Sequence, residues 1–133
     1  MSSTLDCSNS NVDILSLKDS SYDTVVCSGN PITELILPYA IFNVMASSCQ
    51  ISRFSFDVDD IGAREIKYLD LSDNKLNASQ LTYILKTLNK VSPNKGVLDI
   101  SGTNEVVTKE TEDIIFYMSR HKEWCIAYNS PTK

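Results

Sequence analysis

One short template recurs along this 133-residue chain, and it restricts the fold more than any other feature. Leu5-Asp6-Cys7-Ser8-Asn9-Ser10-Asn11-Val12 and Val25-Val26-Cys27-Ser28-Gly29-Asn30-Pro31-Ile32 both read apolar-x-apolar-x-x-polar-x-apolar. Their cysteines are 27 − 7 = 20 residues apart, and second apolar pairs, Leu15-Ser16-Leu17 and Leu35-Ile36-Leu37, keep that offset. The template returns at Phe54-Ser55-Phe56-Asp57-Val58-Asp59-Asp60-Ile61 and at Leu69-Asp70-Leu71-Ser72-Asp73-Asn74-Lys75-Leu76. Its first half returns at Leu98-Asp99-Ile100-Ser101-Gly102-Thr103, after which Glu105 stands where an apolar residue is expected. A repeat of this length signals stacked coils. An apolar-x-apolar triplet is a very short strand with both ends pointing inward. One such coil cannot bury its apolar stripe, whereas a stack makes a continuous core. The polar position falls where the chain turns inward. An Asn there, as at Asn30 and Asn74, satisfies backbone groups that a tight coil leaves unpaired, and Ser10, Asp59 and Thr103 do so less completely.

The connections between triplets divide the chain into short irregular coils over 1–65 and helix-bearing coils with a closing strand over 66–129. Leu81, Ile84, Leu85 and Leu88 follow i, i+3, i+4, i+7 spacing, one face of a helix. Asn77 reads as its N-cap and Gln80 as the partner in a capping box. Pro93-Asn94-Lys95-Gly96 ends that helix. A second helix is expected after Thr108, with Glu110, Glu112 and Asp113 at its positive end and Arg120, His121 and Lys122 at its negative end. Ile114, Tyr117 and Met118 are expected to face inward, and Trp124, Ile126 and Tyr128 to alternate along a closing strand. Tyr39 to Ser52, with Ile41, Phe42, Val44 and Met45, reads as a short helix.

Composition narrows the function. The net charge is −5 and no run of basic residues exists, which disfavours nucleic acid as a partner. The N-terminus lacks a basic segment followed by an apolar one, so no signal peptide is expected. No apolar run approaches the roughly 18 residues of a membrane span. Cys7, Cys27, Cys49 and Cys125 form no CxxC pair and His121 is distant from all four, so zinc and thioredoxin-like chemistry are not expected and the thiols read as buried, reduced apolar groups. Asp57-Val58-Asp59-Asp60 lacks the further acids of a calcium loop and reads as a solvated turn. Asn77-Ala78-Ser79 matches a glycosylation sequon, but the capping role accounts for it. His121 has its place at a helix end without any chemistry, and no nucleophile elbow, phosphate loop or Gly-rich fingerprint appears. No cofactor, metal or catalytic residue is expected.

The segment from Leu5 to Leu17 resembles the short cysteine-containing leucine-rich repeats of bacterial surface proteins. Leu69 to Leu81, its helix, and Leu98-Asp99-Ile100-Ser101-Gly102-Thr103 resemble the leucine-rich-repeat-like modules of bacteriophage virion proteins, found in tail or fibre components. The usual ending of those modules, a helix and then a Trp-containing strand, is similar to Ile114 through Asn129. The resemblance implies an α/β fold: a right-handed leucine-rich-repeat solenoid with a parallel sheet of short strands and helices on the convex side in the C-terminal half.

In such a fold the middle residue of each triplet faces out. Those residues are Asp6, Val26, Ile36, Ser55, Asp70 and Asp99, the expected partner-facing set. Val26 and Ile36 are apolar at positions where solvent prefers polar groups. Asp70 and Asp99 are expected about 5 Å apart on neighbouring strands, a mildly unfavourable pairing. This reads either as a face for a basic partner or cation, or as solvated acids paired with Lys67, Lys95 or a backbone donor. Trp124, Tyr117 and Tyr128 read either as a cover for the end of the core or as an interface patch. The expectation is a non-catalytic interaction or structural module that meets virion subunits or its own copies, located in a virion or in host cytoplasm before assembly. A bacterial leucine-rich-repeat binding protein and an enzyme with an unrecognised site are the alternatives.

Overall fold

The computed structural model describes residues 4–18, 21–38, 41–56, 66–91 and 95–131. The elements run β1 (Thr4–Asp6), β2 (Ile14–Ser16), β3 (Thr24–Val26), β4 (Glu34–Leu37), β5 (Asn43–Met45), β6 (Arg53–Phe56), β7 (Tyr68–Asp70), α1 (Ala78–Val91), β8 (Val97–Asp99), α2 (Lys109–His121) and β9 (Cys125–Ala127). All strand pairing among the described residues is parallel. A six-stranded sheet has the order β1-β3-β5-β7-β8-β9, and a three-stranded sheet has the order β2-β4-β6. Up to β6 the chain alternates between the two sheets. After β7 helices take the return position, α1 packing on β6 and α2, and α2 on β9. Parallel strands with intervening helices make this an α/β fold.

The register is unshifted from strand to strand. Leu5, Val25, Val44, Leu69, Leu98 and Ile126 are direct partners in one inward row. Leu15, Leu35 and Phe54 form the corresponding row of the smaller sheet. Val25, Val44, Leu69 and Leu98 are wholly inaccessible, and Leu5 and Ile126, at the two ends, are partly buried against the same core. Leu81, Ile84, Leu85 and Leu88 of α1 are buried there too, so the helical spacing in the sequence marks the face that meets the core.

Each strand of the larger sheet from β1 to β8 is terminated in the same way. Asn9, Gly29, Ser48, Asp73 and Gly102, each four residues beyond its inward strand residue, adopt positive φ between 54° and 82°. That conformation turns the chain towards the interior. The polar position comes next, at the edge of the core. Asn30 donates to Cys7 O and Cys27 O at 2.9 Å and accepts from Ser10 N at 2.7 Å and Val12 N at 3.1 Å. Asn74 donates to Ala46 O, Leu71 O and Ser72 O and accepts from Ile51 N at 3.0 Å. A side chain with two donors and an acceptor thus stitches one turn of chain to its predecessor.

Several expectations are corrected. Tyr39 to Ser52 is not a helix in its described part: Asn43–Met45 is a strand, and Val44 to Ile51 is a full copy of the template with Cys49 at the polar position. The Cys49 thiol donates to Cys27 O at 3.4 Å, a weak substitute for an amide. Thr103 is not the last buried polar residue. Gly102-Thr103 carries one extra residue, so Asn104 occupies that place, accepting from Leu76 N at 2.9 Å and donating to Leu71 O. Val107 then fills the interior, and Glu105 accepts from Ala78 N at the start of α1 at 3.0 Å. Gln80 does not complete a capping box with Asn77, although Asn77 accepts from Gln80 N as expected. The Gln80 side chain accepts instead from Phe54 N at 2.8 Å, and the Tyr83 hydroxyl accepts from Phe56 N at 3.1 Å. Helix side chains thereby replace the next strand along the edge of β6. Asp57 to Ile61, Tyr39 and Pro93-Asn94 lie outside the described residues.

Helix α2 has Thr108 as N-cap, its hydroxyl accepting from Thr111 N. Met118 is buried as expected, but its buried companions are Thr111, Glu112 and Ile115 rather than Ile114 and Tyr117. Ile114 is half-buried and Tyr117 exposed, because the inward stripe is displaced by one residue at Ile115. Burial of Glu112 has a reason: its carboxylate accepts from Tyr128 Oη at 2.7 Å and Ser130 Oγ at 2.9 Å, tying the segment after β9 to the helix. The Tyr128 hydrogen bond, with help from that of Ser130, holds the Glu112 carboxyl below its usual range. Burial and this same carboxylate push Tyr128 up to about 12.

Both shifts couple folding to pH. A lowered carboxyl pKa adds stability above the ordinary value of 4.5, and that stability is lost as pH falls through the lower, folded value. A raised phenol pKa adds stability below the ordinary value of 10.0, and that stability is lost as pH rises through about 12. Tyr128→Phe is expected to flatten the acid side of the urea-midpoint profile relative to wild type, below pH 4.5. An acid limb of unchanged steepness would show that the pair does not set it.

No helix among the described residues is long and apolar enough to cross a membrane.

Candidate interaction face

The larger sheet buries its middle row and presents the rows on either side. One outward row is Thr4, Thr24, Asn43, Tyr68, Val97 and Cys125. The other is Asp6, Val26, Met45, Asp70, Asp99 and Ala127. Period-2 alternation fixes both, because the inward residue of each triplet leaves its neighbours no other direction.

Of the six expected partner-facing residues, this face brings together Asp6, Val26, Asp70 and Asp99. Ile36 and Ser55 lie elsewhere, paired with each other on β4 and β6 of the smaller sheet. The triplet pattern does not distinguish the two sheets, so residues from both read as one set. The pattern also misses Met45, which sits between Val26 and Asp70 in the row and is 37% exposed. Its signal is the template copy at Val44 to Ile51, disguised by Cys49 at the polar position.

The acids of the row are organised alike. Asp6 accepts from the amide and hydroxyl of Ser8. Asp70 accepts from Ser72 N at 3.0 Å and Ser72 Oγ at 2.7 Å, and Asp99 from Ser101 N at 3.0 Å and Ser101 Oγ at 2.6 Å. The partners of Asp70 and Asp99 are thus a backbone donor and a serine hydroxyl, not Lys67 or Lys95. Lys95 reaches Glu123 instead, at 3.7 Å. The two bonds from Ser8 hold Asp6 below the ordinary carboxylate range. In each case one carboxylate oxygen is bound to the turn, which fixes the side chain at the rim of the sheet. Where the row is apolar, at Val26 and Met45, Ser28 and Ser47 bond to each other at 3.1 Å in place of an acid. Val97 of the other outward row, 40% exposed, adds apolar surface. The face therefore combines a central apolar strip with pre-set acids on both sides.

Candidate chemistry elsewhere is sparse. Among the described residues no three His, Cys, Asp or Glu side chains are grouped to hold a metal ion. Cys27 is buried, and burial pushes its thiol up to about 12; burial also raises Cys7, which is half-buried. Cys125, expected to be buried, is exposed, because it occupies an outward row of the last strand. His121 is exposed with its ring 4.7 Å from that of Tyr117. Trp124 is buried against Gly96, and Tyr128 is half-buried against the core.

No family model, curated protein or solved structure matches this chain.

Proposed function

We propose that the chain is a right-handed leucine-rich-repeat solenoid, with α1 and α2 on its convex side, that acts without catalysis by docking the six-stranded face onto another protein. Right-handedness rests on the strong preference of parallel strand crossovers. The supporting observation is the continuous row Asp6-Val26-Met45-Asp70-Asp99-Ala127, in which apolar side chains stand where solvent favours polar ones, between acids already held in place by serines. Rigid, preorganised side chains lose little entropy on binding. The resemblance of Leu69 to Thr103 to bacteriophage modules supports a setting in a phage particle, as a tail, fibre or capsid-associated component.

The test places a photo-crosslinking amino acid at Met45 and, in a separate variant, at Ser52, which lies outside this face. Irradiation during phage production is expected to yield one discrete protein adduct from position 45 and none from position 52, and purified particles are expected to contain the chain. Equal adducts from both positions contradict the docking face. Absence of the chain from particles contradicts the setting.

A further inference from the structure

The two ends of the stack are finished differently. At the C-terminal end β9 is also the outermost strand of the larger sheet, with Ile126 partly buried, but Trp124 is buried and α2 packs on β9, its Glu112 binding Tyr128 and Ser130 just beyond that strand. Within the stack, the far edge of the smaller sheet is closed by Gln80 and Tyr83 of α1. At the N-terminal end β1 and β2 are each the outermost strand of a sheet, paired on one side only among the described residues. Leu5, Cys7, Val12 and Leu15 are only partly buried there, and Ile14 is 58% exposed.

The direction of the polar groups on those edges is set by the ladder. Cys7 N and Asn9 N donate to Val26 O and Ser28 O, and Leu17 N donates to Ile36 O. Donors alternate in direction along a strand, so the amides of Asp6 and Ser16 point to the open side. Unpaired edges beside apolar surface are sticky, and proteins normally block them.

We infer that the N-terminal coil pairs edge to edge with the N-terminal coil of a second copy of this chain. An occupant must bring two strand edges separated by apolar side chains, and this end of the molecule is itself such a surface. Two-fold pairing is self-complementary. Antiparallel pairing of β1 about Leu5 sets Thr4 against Asp6 of the second copy, so no acid faces an acid. Pairing of β2 about Leu15 sets Ile14 against Ser16. The docking face stays open, and the dimer carries two of them.

Sedimentation equilibrium of the 133-residue chain tests this from roughly 10 to roughly 500 µM, since an interface below about 1,200 Å² associates weakly. The mass is expected to rise from 14.8 kDa towards twice that value. Deuterium uptake at the amides of Asp6 and Ser16 is expected to slow as concentration rises. Ser16→Pro removes an edge-facing donor and no internal ladder bond, and Ile14→Lys alters an exposed side chain; each is expected to weaken association at least tenfold. Circular dichroism at the lowest concentration confirms that the variants fold, and Ile14→Lys decides the matter if Ser16→Pro does not. A monomer throughout, a dimer that survives Ile14→Lys, or growth beyond two chains overturns the inference.

Discussion

Asn74→Ala is expected to destabilise the chain by about 3–5 kcal/mol, more than any surface change nearby. The side chain is wholly buried. Its loss leaves Ile51 N–H without an acceptor and removes the donor to Ala46 O. Leu71 O keeps a partner, because Asn104 also donates to it. Each buried polar group left unpaired costs about 1–3 kcal/mol, which sets the total. The loss falls between segments far apart in sequence, since Ile51 and Ala46 lie 23 and 28 residues from Asn74. Asn77→Ala, which removes only a helix cap, is expected to cost about 1 kcal/mol. Urea unfolding of both variants measures the difference. A loss below about 1 kcal/mol for Asn74→Ala would show that the stitched asparagines are incidental to stability.

The second large effect comes from packing. A Cβ added at Gly96 would lie 2.4 Å from two atoms of the Trp124 ring. That ring is rigid and buried at 3% exposure, so it cannot turn aside into solvent. Overpacking of this kind costs about 1–3 kcal/mol, and Gly96→Ala is expected at the upper end. The cause can be isolated. In a Trp124→Leu background the smaller side chain makes room, and the added cost of Gly96→Ala is expected to fall by about 2 kcal/mol. Simple additivity of the two substitutions would place the strain elsewhere. Trp124 is the chain's one tryptophan, so its emission reports the displaced ring directly.

Periodicity alone controls the part of the fold that is legible in the sequence. The spacing of Leu81, Ile84, Leu85 and Leu88 names the buried face of α1 because a helix needs only one stripe to do so. Asn30 and Asn74 are legible because no apolar residue can supply their hydrogen bonds. The coil at Val44 to Ile51 is hidden because Cys49 meets part of that need through a thiol, a substitution that the pattern does not flag. Asn104 is hidden by a one-residue insertion that follows Gly102, the positive-φ residue this turn shares with the others.

The candidate face is half legible for a related reason. Leu35-Ile36-Leu37 and Phe54-Ser55-Phe56 have the same apolar-x-apolar form as Leu69-Asp70-Leu71, and only three-dimensional pairing separates the sheets. A difference does lie just beyond the triplets. Strands β1, β3, β5, β7 and β8 lead into a serine-containing turn with positive φ, whereas β4 leads into Pro38. Gln80 misleads because its nearest partner in sequence is Asn77, while its partner in space, Phe54, lies 26 residues earlier.

Everything proposed for the face and for the open end depends on successive short strands stacking in one unshifted register through the whole chain. Methyl-to-methyl nuclear Overhauser contacts in a selectively labelled sample test that stacking most directly. An unbroken series is expected from Leu5 to Val25, Val44, Leu69, Leu98 and Ile126. A gap between Val44 and Leu69, or a contact that skips a member of the series, would contradict it.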